Sequence, residues 1–299
     1  MEFCSKLSCI VLCCFLVGNG RGVAQEVVYR DYTRQEAALL DSLKKEGVLP
    51  LFKGMRALRQ QAQGVKESTP VNIVPRRAGK RVMTPENIIK ERRASVLTVN
   101  KYQGVTTRPD MVYGWATAVV LTADGVCVTN FHVFWELLDP AAKLNPADSV
   151  IFVATEDGRA YPITEILSFN KAADMAFFKI DTRGDVLTPM PLGDDLSAGA
   201  NVHLLSNPEG YPYAYTHGRV SRTIALNPGD PFSRRMEMTA DFAKGSSGGP
   251  IMDDRGNMVS MVSSIRAIYF SNQPPYNLQM NVKLTIPVSS FKRLMLNIN

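Results

Sequence analysis

The 299-residue sequence predicts an all-β barrel or sandwich behind a short helical N-terminal segment. From Ser95 onwards the chain breaks into short apolar runs bounded by Gly, Pro, Asn and Asp, with no regular helix between them. Before Ser95, apolar residues recur at helical spacing instead. The length suffices for one sizeable core plus an appendage, or for two small domains.

Residues 1–24 read as a secretory signal. Lys6 supplies the positive start, residues 7–17 a short apolar region, and Gly22-Val23-Ala24 a small-x-small cleavage site before Gln25. The apolar run is too short to span a bilayer comfortably. The expected location is therefore outside the cell or in a bacterial-type periplasm. Four of the five cysteines (Cys4, Cys9, Cys13 and Cys14) lie in this leader, so the mature chain keeps only Cys127 and no internal disulfide. Cys13 and Cys14 leave a lipid-anchored form as an alternative, although neither follows a convincing small-residue box.

Residues 25–64 read as a helical extension. Thr33-x-x-Glu36 has the form of a capping box, and Ala37, Leu39, Leu40 and Leu43 follow at helical spacing up to Gly47. Leu51, Phe52, Met55 and Leu58 suggest a second short helix ending near Gly64, and the two could form a helical hairpin. Residues 65–83, polar and carrying Pro70 and Pro75, read as a linker. Thr84-Pro85-Glu86 has a threonine cap and a proline in first position, so a helix starts there and leads into a strand at 95–99. Further strands are expected at 111–121, 126–129, 150–154, 160–168, 175–180, 202–205, 213–224, 258–265 and 278–288. No internal repeat is visible.

Of the formal charge of +6, the excess lies in residues 25–94, with 15 basic against 8 acidic side chains; residues 95–299 carry 17 against 19. Arg76-Arg77, Lys80-Arg81 and Arg92-Arg93 offer a weak contact for an anionic membrane surface or polyanion. A solvated linker and helix face is the plainer reading. No aromatic stacking platform accompanies these charges, so nucleic acid is not the expected partner.

The chemistry concentrates in Ala243-Lys-Gly-Ser-Ser247-Gly-Gly-Pro250. A serine hydroxyl needs a base to take its proton and donors for the charge it creates. Glycines on both sides let the backbone turn tightly and aim amides at one point. Gly245 and Ser247 are the amides expected to form such an oxyanion hole. A plain surface turn would use the same residues. The segment also fits the G-x-S-x-G elbow of α/β-hydrolases, but that motif needs a following helix and a later histidine. Here Pro250 and the turn Asp253-Asp-Arg-Gly256 follow, and His132, His203 and His217 all precede Ser247.

His132 stands just beyond the apolar strand that ends at Thr129-Asn130, where a base could lean into a cleft and still be held by the sheet behind it. His203 looks like a strand residue and His217 like a turn residue. The third member must orient the imidazole. Ten aspartates lie between His132 and Ser247. Asp174 is favoured because it opens the apolar run Met175-Ala-Phe-Phe-Lys-Ile180, whereas Asp194 and Asp195 sit in a polar loop.

Thr129-Asn-Phe-His132, Ala173-Asp-Met-Ala-Phe-Phe-Lys-Ile-Asp181 and Gly245-Ser-Ser-Gly-Gly-Pro250 resemble the three triad blocks of the trypsin-like serine peptidases, closest to the bacterial high-temperature-requirement (HtrA-like) branch. Gly114-Trp-Ala-Thr-Ala-Val-Val, Asn201-Val-His-Leu-Leu-Ser-Asn-Pro-Glu-Gly, Gly218-Arg-Val-Ser and Leu284-Thr-Ile-Pro-Val-Ser-Ser-Phe-Lys-Arg extend the likeness over residues 84–299. The resemblance implies two antiparallel six-stranded β-barrels and a closing C-terminal helix. The site would lie between the barrels, with His132 and Asp174 from the first and Ser247 from the second. It implies a serine endopeptidase that needs no cofactor or metal ion and takes protein or peptide substrates. Its absence of disulfides sets it apart from the animal extracellular members.

Some residues depart from the pattern. Ser246 stands where the family has asparagine or aspartate, so activation by insertion of a cut N-terminus is not expected. Few residues follow the closing helix, so a PDZ module is not expected. Asp241, six residues before Ser247, falls where the family places the base of the primary pocket; a buried carboxylate there would favour arginine or lysine before the scissile bond. The HtrA branch usually has a small apolar residue there and prefers small aliphatic side chains. The strand through Ser263 and Ser264 should offer backbone to an extended substrate. A non-catalytic peptide-binding relative would usually lack a triad residue, and none is missing; an esterase would share all of them.

Overall fold

A computed structural model describes residues 29–104 and 109–296; the expected signal at 1–24 lies outside them. The chain divides into Met1–Asp31 and a second unit, Tyr32–Asn299, which holds every element below. Its N-terminal part runs through α1 (Gln35–Glu46), α2 (Met55–Ala62), β1 (Val71–Asn72) and α3 (Pro85–Arg92). The first barrel comprises β2 (Val96–Gln103), β3 (Met111–Val120), β4 (Val126–Thr129), a short α4 (Trp135–Leu138), β5 (Asp148–Ala154), β6 (Ala160–Asn170) and β7 (Met175–Ile180). The second comprises β8 (Asn201–Ser206), β9 (Ala214–Ala225), β10 (Arg234–Met238), β11 (Pro250–Met252), β12 (Met258–Tyr269) and β13 (Leu278–Pro287), closed by α5 (Val288–Lys292) and β14 (Met295–Leu296). Both sheets close, in the orders β2-β3-β4-β7-β6-β5 and β10-β13-β12-β11-β8-β9, so the expected pair of six-stranded barrels is what forms.

The barrels have separate interiors and a shared seam. Leu97, Val99, Phe134, Ile163 and Phe178 fill the first, and Val202, Leu204, Met236 and Val262 the second. A third cluster draws on both, bringing Val119 and Phe177 together with Met261 and Phe291. Cys127 is wholly buried in β4, and that burial pushes its thiol well above the usual range, so it stays protonated and unreactive.

The N-terminal segment differs from expectation in three ways. Glu36 does not close a capping box; α1 begins after Arg34, with no side-chain cap, and the Glu36 carboxylate accepts from Gly114 N in β3 at 2.6 Å. The two helices pack on the first barrel and not as a hairpin: Leu39 and Leu43 join Phe152 and Val112, whereas Met55 and Leu58 join the barrel interior. Third, the expected linker is a strap. Ser68 N donates to Phe169 O at 2.7 Å, β1 pairs in parallel with β14, and Gly79 exchanges two hydrogen bonds with the Asn257 side chain at 2.6 and 2.9 Å. It thus runs from the first barrel to the second. Of the basic residues, Arg76, Arg77, Lys80 and Arg81 are exposed, but Arg92 is buried and donates to Gly256 O.

Candidate active site

His132 sits in a short helical turn after β4. Asn130 turns the chain out of the strand, and the Trp115 indole donates to Val133 O at 3.2 Å, pinning the turn to β3. Asp174 closes the turn between β6 and β7 with a left-handed backbone (φ +54°), a conformation aspartate tolerates better than most residues. Its own amide donates to Lys171 O at 3.1 Å, and its carbonyl accepts from the Asn130 side chain at 2.9 Å.

The three side chains meet across the cleft. Both Asp174 carboxylate oxygens lie 3.0 Å from His132 Nδ1, and Oδ1 also accepts from the His132 amide at 3.1 Å. An ionised carboxylate can only accept, so Nδ1 carries the proton and Nε2 presents its lone pair. Nε2 is 2.8 Å from Ser247 Oγ. The arrangement can therefore move the serine proton onto an imidazole whose positive charge is met on the far side.

The loop before Ser247 carries the two amides expected to act as donors. Lys244 O accepts from Glu209 N at 2.8 Å; since this peptide is trans, the Gly245 N–H points the opposite way. Ser246 O accepts from Gly249 N at 2.8 Å, which turns the Ser247 N–H in the same manner. Among the described residues neither amide has a protein acceptor. Gly245 is required at φ +91°, where an added Cβ would stand 2.5 Å from Asn207 O. Ser246 is buried, its hydroxyl accepting from Ser206 Oγ at 3.1 Å and from Ala243 N at 3.4 Å.

Several supporting residues were not legible as such. Thr117 in β3 donates its amide to Ser247 O at 2.8 Å and its hydroxyl to Gly245 O at 2.9 Å, tying the first barrel to the nucleophile loop. Asn207 is buried and bonds Thr117 Oγ1, Leu97 O and Tyr213 N. Arg235, on β10, reaches the other barrel and donates to Ala172 O at 2.6 Å, two residues before Asp174. An Arg-Arg-Met-Glu-Met string gives no hint of a strand that buries one of its arginines.

The residues expected at substrate contacts are placed as follows. The Ser263 hydroxyl donates to Asp174 Oδ2 at 2.7 Å, so it serves the carboxylate, while Ser264 is exposed on the same strand. Asp241 is not a buried carboxylate. Ala240 and Phe242 on either side are buried, so the alternation turns Asp241 outwards; its side chain is 86% exposed and pairs with Lys283 Nζ at 3.2 Å. A solvated, neutralised carboxylate gives no basis for arginine selectivity. Of the remaining histidines, His203 is buried between the Tyr215 hydroxyl and Asp254, each at 2.9 Å, and His217 stacks on Tyr215.

The architecture is that of the two-barrel, trypsin-like fold. It superposes on the HtrA-type protease AlgW, solved with a decapeptide, with a TM-score of 0.55 and 21% identity, covering 71% of this chain and 66% of that one. The family described as trypsin-like peptidase domain matches residues 116–261. "Protease Do-like 5, chloroplastic" of Arabidopsis thaliana is 31% identical over 50% of this chain and 48% of its own length. A "Probable periplasmic serine endoprotease DegP-like" of Marinomonas is 29% identical over 49% of this chain and 29% of its own. The chain thus spans half or less of the length of these curated relatives. Residues 116–261 match a trypsin-like peptidase domain, and the chain is similar there to the HtrA- and Deg-type proteases.

Proposed function

We propose that this protein is an exported serine endopeptidase that cleaves peptide bonds through an acyl-enzyme, with Ser247 as nucleophile, His132 as general base and then acid, and Asp174 as its orienting partner. The observation that carries the reading is the unbroken line from Ser247 Oγ through His132 to Asp174, at 2.8 and 3.0 Å. Ser247 Oγ attacks the carbonyl carbon as its proton passes to His132 Nε2. The oxyanion is held by the Gly245 and Ser247 amides, one such donor being worth about 3 kcal/mol in the transition state. Collapse breaks the C–N bond, and the imidazolium gives its proton to the leaving amine. Water, deprotonated by His132, then releases the acid and restores the serine.

Export rests on residues 1–24 and on the periplasmic and chloroplastic naming of the relatives. The bonds that hold the donor loop come from Glu209, Gly249 and Thr117, none of them a chain terminus, which supports activity without a newly cut N-terminus. Labelling by a fluorophosphonate probe and hydrolysis of an unfolded protein test the assignment together. Both should be lost in Ser247→Ala, with kcat falling on the order of 10^6-fold. Hydrolysis at the wild-type rate in that variant would sink it.

A further inference from the structure

The segment that leads into Ser247 and the strand beside it bound the space in which the residue before a scissile bond must place its side chain. Val262 exchanges backbone bonds with Gly248 and Gly249, and Ser263 reaches Asp174, so β12 runs directly alongside the nucleophile. Lys283 closes the far end of this space. It stands on β13 directly opposite Ile265 of β12, on the same face of the sheet, and opposite Met238 of β10 on its other side. Its Nζ donates to Phe242 O at 2.8 Å and lies 5.0 Å from the centre of the Phe242 ring. Phe242 belongs to the interior cluster of the second barrel and begins the segment that carries the nucleophile, so the ammonium is tethered to that segment at the barrel mouth.

The charge there is poorly compensated. The Lys283 side chain is only 7% exposed, yet among the described residues its single ion-pair partner is Asp241, 86% exposed, at 3.2 Å. A pair with a solvated carboxylate holds weakly, and burying an ammonium is costly unless it is well paired. Lys101 in the first barrel shows the other solution. It too is buried, but it lies 2.7 Å from the buried Asp148 and 3.0 Å from Glu136. Phe242 O and Asp241 account for two of the three N–H donors of the Lys283 ammonium. A recess of about 270 Å³, lined in part by Thr239, Asp241, Asn281 and Lys283, adjoins the pair, so the Asp241 carboxylate has room to swing away.

We propose that Lys283 determines specificity: its ammonium takes the carboxylate of an aspartate or glutamate immediately before the scissile bond, in exchange for Asp241. The inference rests on the peptidase reading above and names its substrate class, polypeptide that is acidic at that residue. The exchange replaces a solvated partner by one that the bound substrate itself shuts off from water, where an ion pair is stronger. A neutral side chain leaves the ammonium with only the partner it already had, and an arginine or lysine meets a like charge. The preference differs from the small aliphatic one that the resemblance implied, because it comes from a lysine of this chain and not from the shared fold.

The test is a set of fluorogenic peptides alike except for the residue before the scissile bond, which is Glu, Gln, Val or Lys. With the full-length protein, kcat/KM for Glu should exceed that for Gln, its uncharged isostere, by at least about tenfold, as expected of a hydrogen bond between charged groups, with Lys lowest. Lys283→Met should bring the Glu/Gln ratio towards one. Asp241→Ala, an exposed change that removes the competing carboxylate, should raise it severalfold. Binding of the same peptides to Ser247→Ala, read by fluorescence anisotropy, should show the same order. A ratio near one in the unaltered protein overturns the proposal, as does a ratio that Lys283→Met leaves high or that Asp241→Ala fails to raise. Faster cleavage of the Val peptide than of the Glu peptide would mean that Lys283 merely fills the space, and also overturns it. Each of these outcomes leaves the peptidase reading intact as long as hydrolysis is lost in Ser247→Ala. Glu-selective binding without Ser247-dependent hydrolysis would do the reverse. Should Lys283→Met fail to fold, the unaltered protein and Asp241→Ala decide the matter.

Discussion

Asp174 is the residue on which the candidate site converges. Its left-handed backbone costs on the order of 1–3 kcal/mol and persists only because its surroundings over-determine it. Asn130 holds its carbonyl, Arg235 holds the chain two residues before it, and His132 and Ser263 hold its carboxylate. Ser263 is the member that can be removed with least harm to the fold, since it is a small side chain at the cleft wall. Ser263→Ala takes one of the hydrogen bonds from a carboxylate that must stay aligned on Nδ1. The expected result is a fall in kcat of about tenfold with KM little changed, because a hydrogen bond to a charged group is worth about 1.5–3 kcal/mol and part is recovered by water. Steady-state kinetics on a short peptide would check it; a change in KM alone would place Ser263 in substrate binding, as its position on the strand first suggested. Asp241 teaches the complementary point. Its distance from Ser247 in sequence was informative, but whether a carboxylate is buried depends on the alternation of its neighbours.

Among the elements, the legible ones are those whose side chains are uniform in character. Strands β4 and β7 occupy the expected 126–129 and 175–180, because each is buried nearly end to end and bounded by turn residues. Strand β10 escaped because its buried charges, Arg235 and Glu237, draw on partners far off in the sequence, Ala172 O and Arg222, with Arg235 also donating to the nearby Phe232 and Arg234 carbonyls. The segment 65–83 escaped for a similar reason. Its prolines and charges speak of a linker, and only tertiary structure shows the fully buried Ile73 seated among Met252, Phe291 and other residues of the shared seam. The same strap supports the site, since Glu67 accepts from Lys171 N at 2.7 Å in the turn that carries Asp174. Ile73→Ala should therefore lower the stability of the whole domain by about 3 kcal/mol, the range for a buried large-to-small change. Urea unfolding would measure it. A shift below about 0.5 kcal/mol, typical of an exposed linker, would mean that the strap contributes nothing to the barrels.

At the scale of the whole molecule, catalysis as proposed depends on how closely the two barrels approach, since His132 and Asp174 belong to one and Ser247 to the other. One close approach is at Gly248. A Cβ there would lie 2.1 Å from Thr117 O and 2.4 Å from Thr129 Oγ1, both on strands of the first barrel. The neighbouring bond from Thr117 N to Ser247 O, at 2.8 Å, spans the same gap. Gly248→Ala can be accommodated only by moving the nucleophile loop away from β3, which lengthens the path from Ser247 Oγ to His132. A displacement of about 1 Å is enough to cost roughly 10²-fold, so kcat/KM should fall by at least that much. Gly248 also has φ +85°, and backbone strain alone would destabilise an alanine. Gly158 separates the two effects: it has φ +88° but nothing within 4 Å of its added Cβ, and it lies in the β5–β6 turn of the first barrel. Gly158→Ala should lose on the order of 1–3 kcal/mol of stability and keep its kcat/KM, whereas Gly248→Ala should lose both. Equal activity in the two variants would show that the barrels tolerate separation at this seam, and that the alignment of Ser247 with His132 is held by the nucleophile loop alone.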